Sequence, residues 1–141
     1  MAATAGQLRQ WHAMPSLDTN CLLRWLLDDV PAETQRVSRR LTQHPQLTIS
    51  DVALIEVVFV LERVMKVSRD SIVAAISALA AESAFAFDRS FWRSVADQYL
   101  AHPKLSVADV YLALEAARRG VVPLLTLDRK LASQMREAEL A

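Results

Sequence analysis

Cysteine, glycine and surplus charge are the scarce things in this chain of 141 residues. The single cysteine, Cys21, excludes an internal disulfide and suits a reducing compartment such as the cytoplasm. A thiol nucleophile would need a histidine as base. Of the three histidines, His44 and His102 each precede a proline in loop-like surroundings, so Cys21 reads as core packing. Two glycines leave no room for a glycine-rich phosphate loop. Sixteen basic residues balance sixteen acidic ones, so a polyanion would have to be held by a local patch or through a metal. The most apolar run, Val52 to Leu61, is too short to span a bilayer and carries Glu56 in its middle. Residues 1–13 lack the apolar core of a signal peptide and read as a disordered extension, with Met14 as an alternative start.

What is present is hydrophobic material, 52% of the chain, enough for one packed domain over residues 14–141. Apolar runs and helical periodicities alternate. Strands are expected at Pro15–Leu17, Leu47–Ile49, Phe85–Phe87 and Val122–Leu127. Helices are expected over 20–28, 31–43, 51–66, 69–81, 90–100, 107–119 and 128–139. Pro31 suits a first helical turn, and Gly120 suits a helix stop. This order predicts an α/β fold of three layers, α/β/α, with a small parallel sheet of about four strands and helices on both faces. The stretches His44–Asp51 and His102–Asp109 echo each other. Each places a hydroxyl three residues before an acid, as in a capping box, and the echo reads as two similar helix entrances.

Four acids stand out. Asp18 closes the first strand, and Asp128 closes the fourth. In open α/β folds, ligands sit at the carboxyl ends of the strands, so the two are expected to share one sheet edge. Glu56 sits in a segment read as apolar on all sides and therefore buried. A carboxylate there needs a cation, either Arg24 or a metal ion. Asp109 reads as the acid of a capping box or as a group facing the sheet edge. Several carboxylates gathered together are stable only around a shared proton or a divalent ion. Oxygen-only ligands suit Mg2+ or Mn2+ rather than zinc. A metal-bound water would then be available to attack a phosphodiester. Arg36, Arg39 and Arg40 form a basic stripe on one helix, either a solvated face or a phosphate or partner contact.

At these residues the chain resembles the PIN-domain family, and within it the VapC-type toxins of bacterial toxin–antitoxin pairs. The matching stretches are Leu17-Asp18-Thr19-Asn20, Glu56 with Val57 to Leu61, Ser106 to Leu114, and Leu125-Thr126-Leu127-Asp128-Arg129. The resemblance implies a cytoplasmic Mg2+- or Mn2+-dependent endoribonuclease with Asp18, Glu56, Asp109 and Asp128 as its acid cluster. Asp18 and Asp109 would touch metal directly, and Glu56 and Asp128 through water. Asn20 would orient Asp18, with Thr19 and Thr126 in support. Arg24 and Arg129 would meet RNA. The implied partners are the RNA substrate, a small antitoxin laid across the active-site groove, and a second copy in a homodimer. Many relatives carry another acid where this chain has Ser106. Two rival functions follow from the same residues. One is a catalytically weak or inactive binding module on the same fold. The other is a phosphohydrolase with Asp18 as nucleophile, against which stands Asn20 where a second acid is usual.

Overall fold

The computed structural model describes Ala2, Thr4 and residues 15–141. The expected disordered extension and the alternative start at Met14 lie outside the described residues, except for Ala2 and Thr4. In chain order the elements are β1 (Ser16–Leu17), α1 (Thr19–Leu27), α2 (Pro31–Gln43), β2 (Leu47–Ile49) and α3 (Asp51–Phe59). A π-helical turn (Val60–Val64) continues α3. Then come α4 (Arg69–Ala81), β3 (Phe85–Ala86), α5 (Arg89–Ala101), α6 (Val107–Arg118), β4 (Leu124–Thr126), α7 (Arg129–Gln134) and β5 (Ala138–Leu140). Helices enclose a small parallel sheet, the three-layer α/β/α arrangement expected.

β2 is the middle strand. Its parallel partners are β1, through Ser16↔Thr48 and Leu17↔Ile49, and β3, through Leu47↔Phe85 and Thr48↔Ala86. Parallel neighbours require long crossovers, which α1 and α2 supply on one side, and α3, the π turn and α4 on the other. Leu47, Ile49 and Phe85 are buried between helical layers. Leu54, Val58, Ile72, Leu79, Trp92, Val95, Tyr99 and Val110 complete the core.

Two expectations about the sheet are corrected. Four strands do not form one sheet. β1, β2 and β3 form one, and β4 pairs instead with β5 through Leu124↔Ala138, Leu125↔Glu139 and Thr126↔Leu140. The last helix does not reach Glu139 but stops at Gln134. Met135 is buried, and the turn Ala138 N–H to Met135 C=O reverses the chain so that residues 138–140 run beside β4. Backbone pairing here overrides the helix preference of alanine and glutamate.

The helix entrances also separate. At α6 the capping box is complete, with Ser106 and Asp109 exchanging side-chain-to-backbone hydrogen bonds. At α3 the cap is Ser50, which accepts from the Ala53 N–H at 3.1 Å, while Thr48 lies in β2. Asp51, freed from capping, accepts instead from Trp92 Nε1 (2.8 Å), Tyr111 Oη (2.9 Å) and Arg118 Nη2 (2.9 Å). Gly120 ends α6 at φ +70, where a side chain would be strained.

Candidate active site

Asp18 stands just past β1 and is the N-cap of α1. Its Oδ1 accepts from the Cys21 backbone N–H at 2.9 Å. That bond holds the carboxyl below the usual carboxylate range. Asp18 is therefore a fixed, exposed anion at neutral pH, at the carboxyl end of a parallel strand. Asn20 is exposed at the second position of α1, and the hydrogen bond that fixes Asp18 comes from the Cys21 backbone N–H. The sequence signal for this was an acid directly before an apolar helix, the N-cap pattern. Cys21 is half-buried, and burial followed by the Asp18 charge pushes its thiol upward. It stays protonated at neutral pH, in keeping with packing rather than nucleophilic attack.

Glu56 is not buried. Helix α3 buries Ala53, Leu54, Val57 and Val58 and turns Val52, Glu56 and Phe59 outward, with Val52 64% and Phe59 53% exposed. A run of apolar residues thus has a solvent face after all, and Glu56 lies on it. Arg24 is not its counter-ion. The Arg24 guanidinium binds both oxygens of Asp29 at 2.6 and 2.7 Å, and Glu33 at 3.1 Å. Glu56 instead accepts from Thr19 Oγ1 at 2.5 Å, across 37 residues of sequence.

Asp18, Thr19 and Glu56 line one open cavity of ≈ 340 Å³, together with Ser50 and Val52. The other two acids do not line it. Asp109 sits at the start of α6, where its Oδ2 accepts from the Ser106 N–H at 3.2 Å. Asp128 caps α7, accepting from the Lys130 and Leu131 N–H groups at 2.9 and 3.3 Å. Its own N–H donates to Thr126 Oγ1 at 3.0 Å, so Thr126 shapes the loop that carries it. Because β4 pairs with β5, Asp128 stands at the end of a different sheet from Asp18, and the shared sheet edge is not formed. Among the described residues, no three His, Cys, Asp or Glu side chains gather as a metal-holding group.

Two carboxylates facing one cavity still suit a divalent ion. Among the described residues, neither Asp18 nor Glu56 has a cationic side chain within ion-pair distance. Magnesium keeps much of its water and is commonly held by one or two protein carboxylates together with substrate phosphate. Of the expected RNA contacts, Arg129 opens α7 in an exposed position, whereas Arg24 is neutralised by Asp29 and Glu33. Arg118 is shared among Asp51, Asp88 and Glu115.

Parallel strands enclosed by helices, with Asp18 at a strand's carboxyl end and Glu56 across an open cavity from it, define an α/β domain with an acidic site. The chain belongs to the PIN domain family, whose sequence signature matches residues 16–136. PIN domains are in general nucleases, and the chain carries that nuclease-type, hydrolase character. No curated protein sequence matches it. Among the described residues, no helix is long and apolar enough to cross a membrane.

Proposed function

We propose that this protein is a Mg2+- or Mn2+-dependent endoribonuclease and the toxin of a type II toxin–antitoxin pair, acting in the cytoplasm. The observation that carries the reading is the Asp18–Thr19–Glu56 arrangement, two carboxylates on one open cavity that have no cationic partner among the described residues. Asp18 and Glu56 would hold the ion, while Asp109 and Asp128, which do not line this cavity, would act outside the ion's own ligands. When bound, the ion would supply an activated water and offset the charge of the phosphate. The protein's own part is positional. The Cys21 N–H keeps Asp18 ionised and aimed. The Thr19 hydroxyl fixes the Glu56 carboxylate. The exposed apolar side chains Val52 and Phe59, on the same helix face as Glu56, support a protein partner beside the site, whether antitoxin or second copy.

Asp18→Asn should abolish divalent-dependent RNA cleavage while the melting temperature and circular dichroism stay near those of the parent. Cleavage by this variant at the parent's rate would defeat the proposal. One observation favours the second reading, a binding module without catalysis: Asp109 is committed to the Ser106 capping box. Calorimetric titration with Mn2+ separates the two, since a binding module takes up no ion that depends on Asp18 and Glu56.

A further inference from the structure

Beside the acidic cavity lies a second one, of ≈ 310 Å³, between α1 and α2. The two share Leu17 and Asp18 in their walls, so they adjoin at Asp18. Arg24, Arg36 and Arg40 line the second cavity. Their electrostatic situations differ. Arg24 is balanced by Asp29 and Glu33, and with the Thr34 hydroxyl donating to the Arg24 C=O at 2.9 Å it ties α1 to α2. Arg36 and Arg40 lie one turn apart on α2, with buried Val37 beside them seating that face against α1. Among the described residues, neither has a carboxylate within ion-pair distance. Arg40 makes only a 3.3 Å hydrogen bond to Gln43 Oε1. In a chain with no net charge, three guanidinium groups line this cavity against the carboxylates of Asp18 and Glu33, a local positive surplus carried, among the described residues, by Arg36 and Arg40.

We propose that this cleft is a phosphate subsite. In it, Arg36 and Arg40 grip the RNA backbone phosphate adjoining the one held at Asp18 and Glu56. The inference rests on the nuclease reading and adds the path of the strand: out of the acidic cavity, past Asp18, and between α1 and α2. Guanidinium groups match phosphate oxygens in geometry and charge. Such contacts position a strand without reading its sequence.

The test is RNA binding by the full chain in chelator, where metal-dependent cleavage is stopped, using fluorescence anisotropy of a short single-stranded RNA over a range of salt. The paired change Arg36→Ala with Arg40→Ala should weaken binding by about 10-fold or more. It should also flatten the slope of log affinity against log salt by about 1.4, the value for two lost contacts to a single strand. Arg36→Lys with Arg40→Lys should keep most of the slope. Arg39→Ala, outside this cavity, should change neither affinity nor slope. Melting temperatures near that of the parent would show that the variants fold. Unchanged affinity and slope in the paired alanine variant, with the parent still cutting RNA, would overturn the subsite; an acidic protein segment as the true occupant gives that result. Inorganic phosphate binding as tightly as the RNA would overturn it too, by assigning the cleft to a free anion. Failure of the nuclease reading looks different: parent and Asp18→Asn would be equally inert in cleavage, while the salt slope would still report on Arg36 and Arg40.

Discussion

The Thr19 hydroxyl and the Glu56 carboxylate are joined by a 2.5 Å hydrogen bond. Thr19 opens α1 directly after Asp18, and Glu56 lies in the middle of α3. The two helices leave neighbouring parallel strands at the same sheet edge, because Leu17 pairs with Ile49 across β1 and β2. The site is therefore assembled by strand register. Asp18 and Ser50 are the first residues past their strands, and each caps the helix that follows.

Removing the Thr19 hydroxyl should release Glu56 without disturbing the fold. Thr19→Val is expected to slow RNA cleavage by about 10-fold or more, as loss of a group orienting a ligand generally does. Thr19→Ser should keep most of the rate. The check is cleavage rate at saturating divalent ion, with melting temperature as the control. A valine variant as fast as the parent would remove Thr19 from the site.

Metal uptake should depend on the two acids of the cavity. Chelation should stop cleavage and added Mn2+ should restore it. Glu56→Gln should lower Mn2+ affinity by about 10-fold or more. Asp18 is held below the usual carboxylate range, so its share of the uptake should persist below the pH at which an ordinary aspartate takes up a proton. Calorimetry at several pH values measures both effects.

Asp51 is a structural anion and should show it through pH. Burial raises its pKa, but hydrogen bonds from Trp92, Tyr111 and Arg118 outweigh burial and leave it lowered. A lowered carboxyl contributes stability that is complete above its unfolded pKa, near 4, and is lost as pH falls through the folded value. Asp51→Asn should therefore cost about 2 kcal/mol at neutral pH. The gap to the parent should shrink below about pH 4. Thermal melts of both proteins across pH test this, and a gap that stays constant in acid would contradict it.

Arg69 anchors the segment that leads into α6. Its guanidinium donates to the carbonyls of Tyr99 (2.7 Å), His102 (3.2 Å) and Leu105 (2.7 Å). It also pairs with Glu62 at 3.1 Å and lies 4.0 Å from the centre of the Tyr99 ring. A lysine cannot reproduce that planar set of donors. Arg69→Lys should lower stability by about 2 kcal/mol, read as a fall of several degrees in melting temperature. Proteolytic nicking between His102 and Leu105 should become easier. A lysine variant as stable as the parent would show that the carbonyls find other donors.

Much of this protein was legible in the sequence, because local chemistry sets local structure. Pro31 starts α2 and Gly120 ends α6. Asp18, Ser50, Ser106 and Asp128 cap the helices they precede. Alternating apolar segments gave the α/β class. The tertiary structure decided what depends on partners distant in the chain. Whether an apolar helix has a solvent face depends on what packs around it, so Glu56 is exposed and bound by Thr19 rather than stranded in the core. Which basic groups remain available depends on nearby acids, so among the described residues Arg24 and Arg118 are neutralised while Arg36 and Arg40 are not. Which strands pair depends on competition for backbone hydrogen bonds. β5 takes β4, and Asp128 is thereby parted from the strand edge that carries Asp18. Caps and turns are settled within a few residues, whereas pairing, exposure and charge balance are settled only when the whole chain has closed on itself.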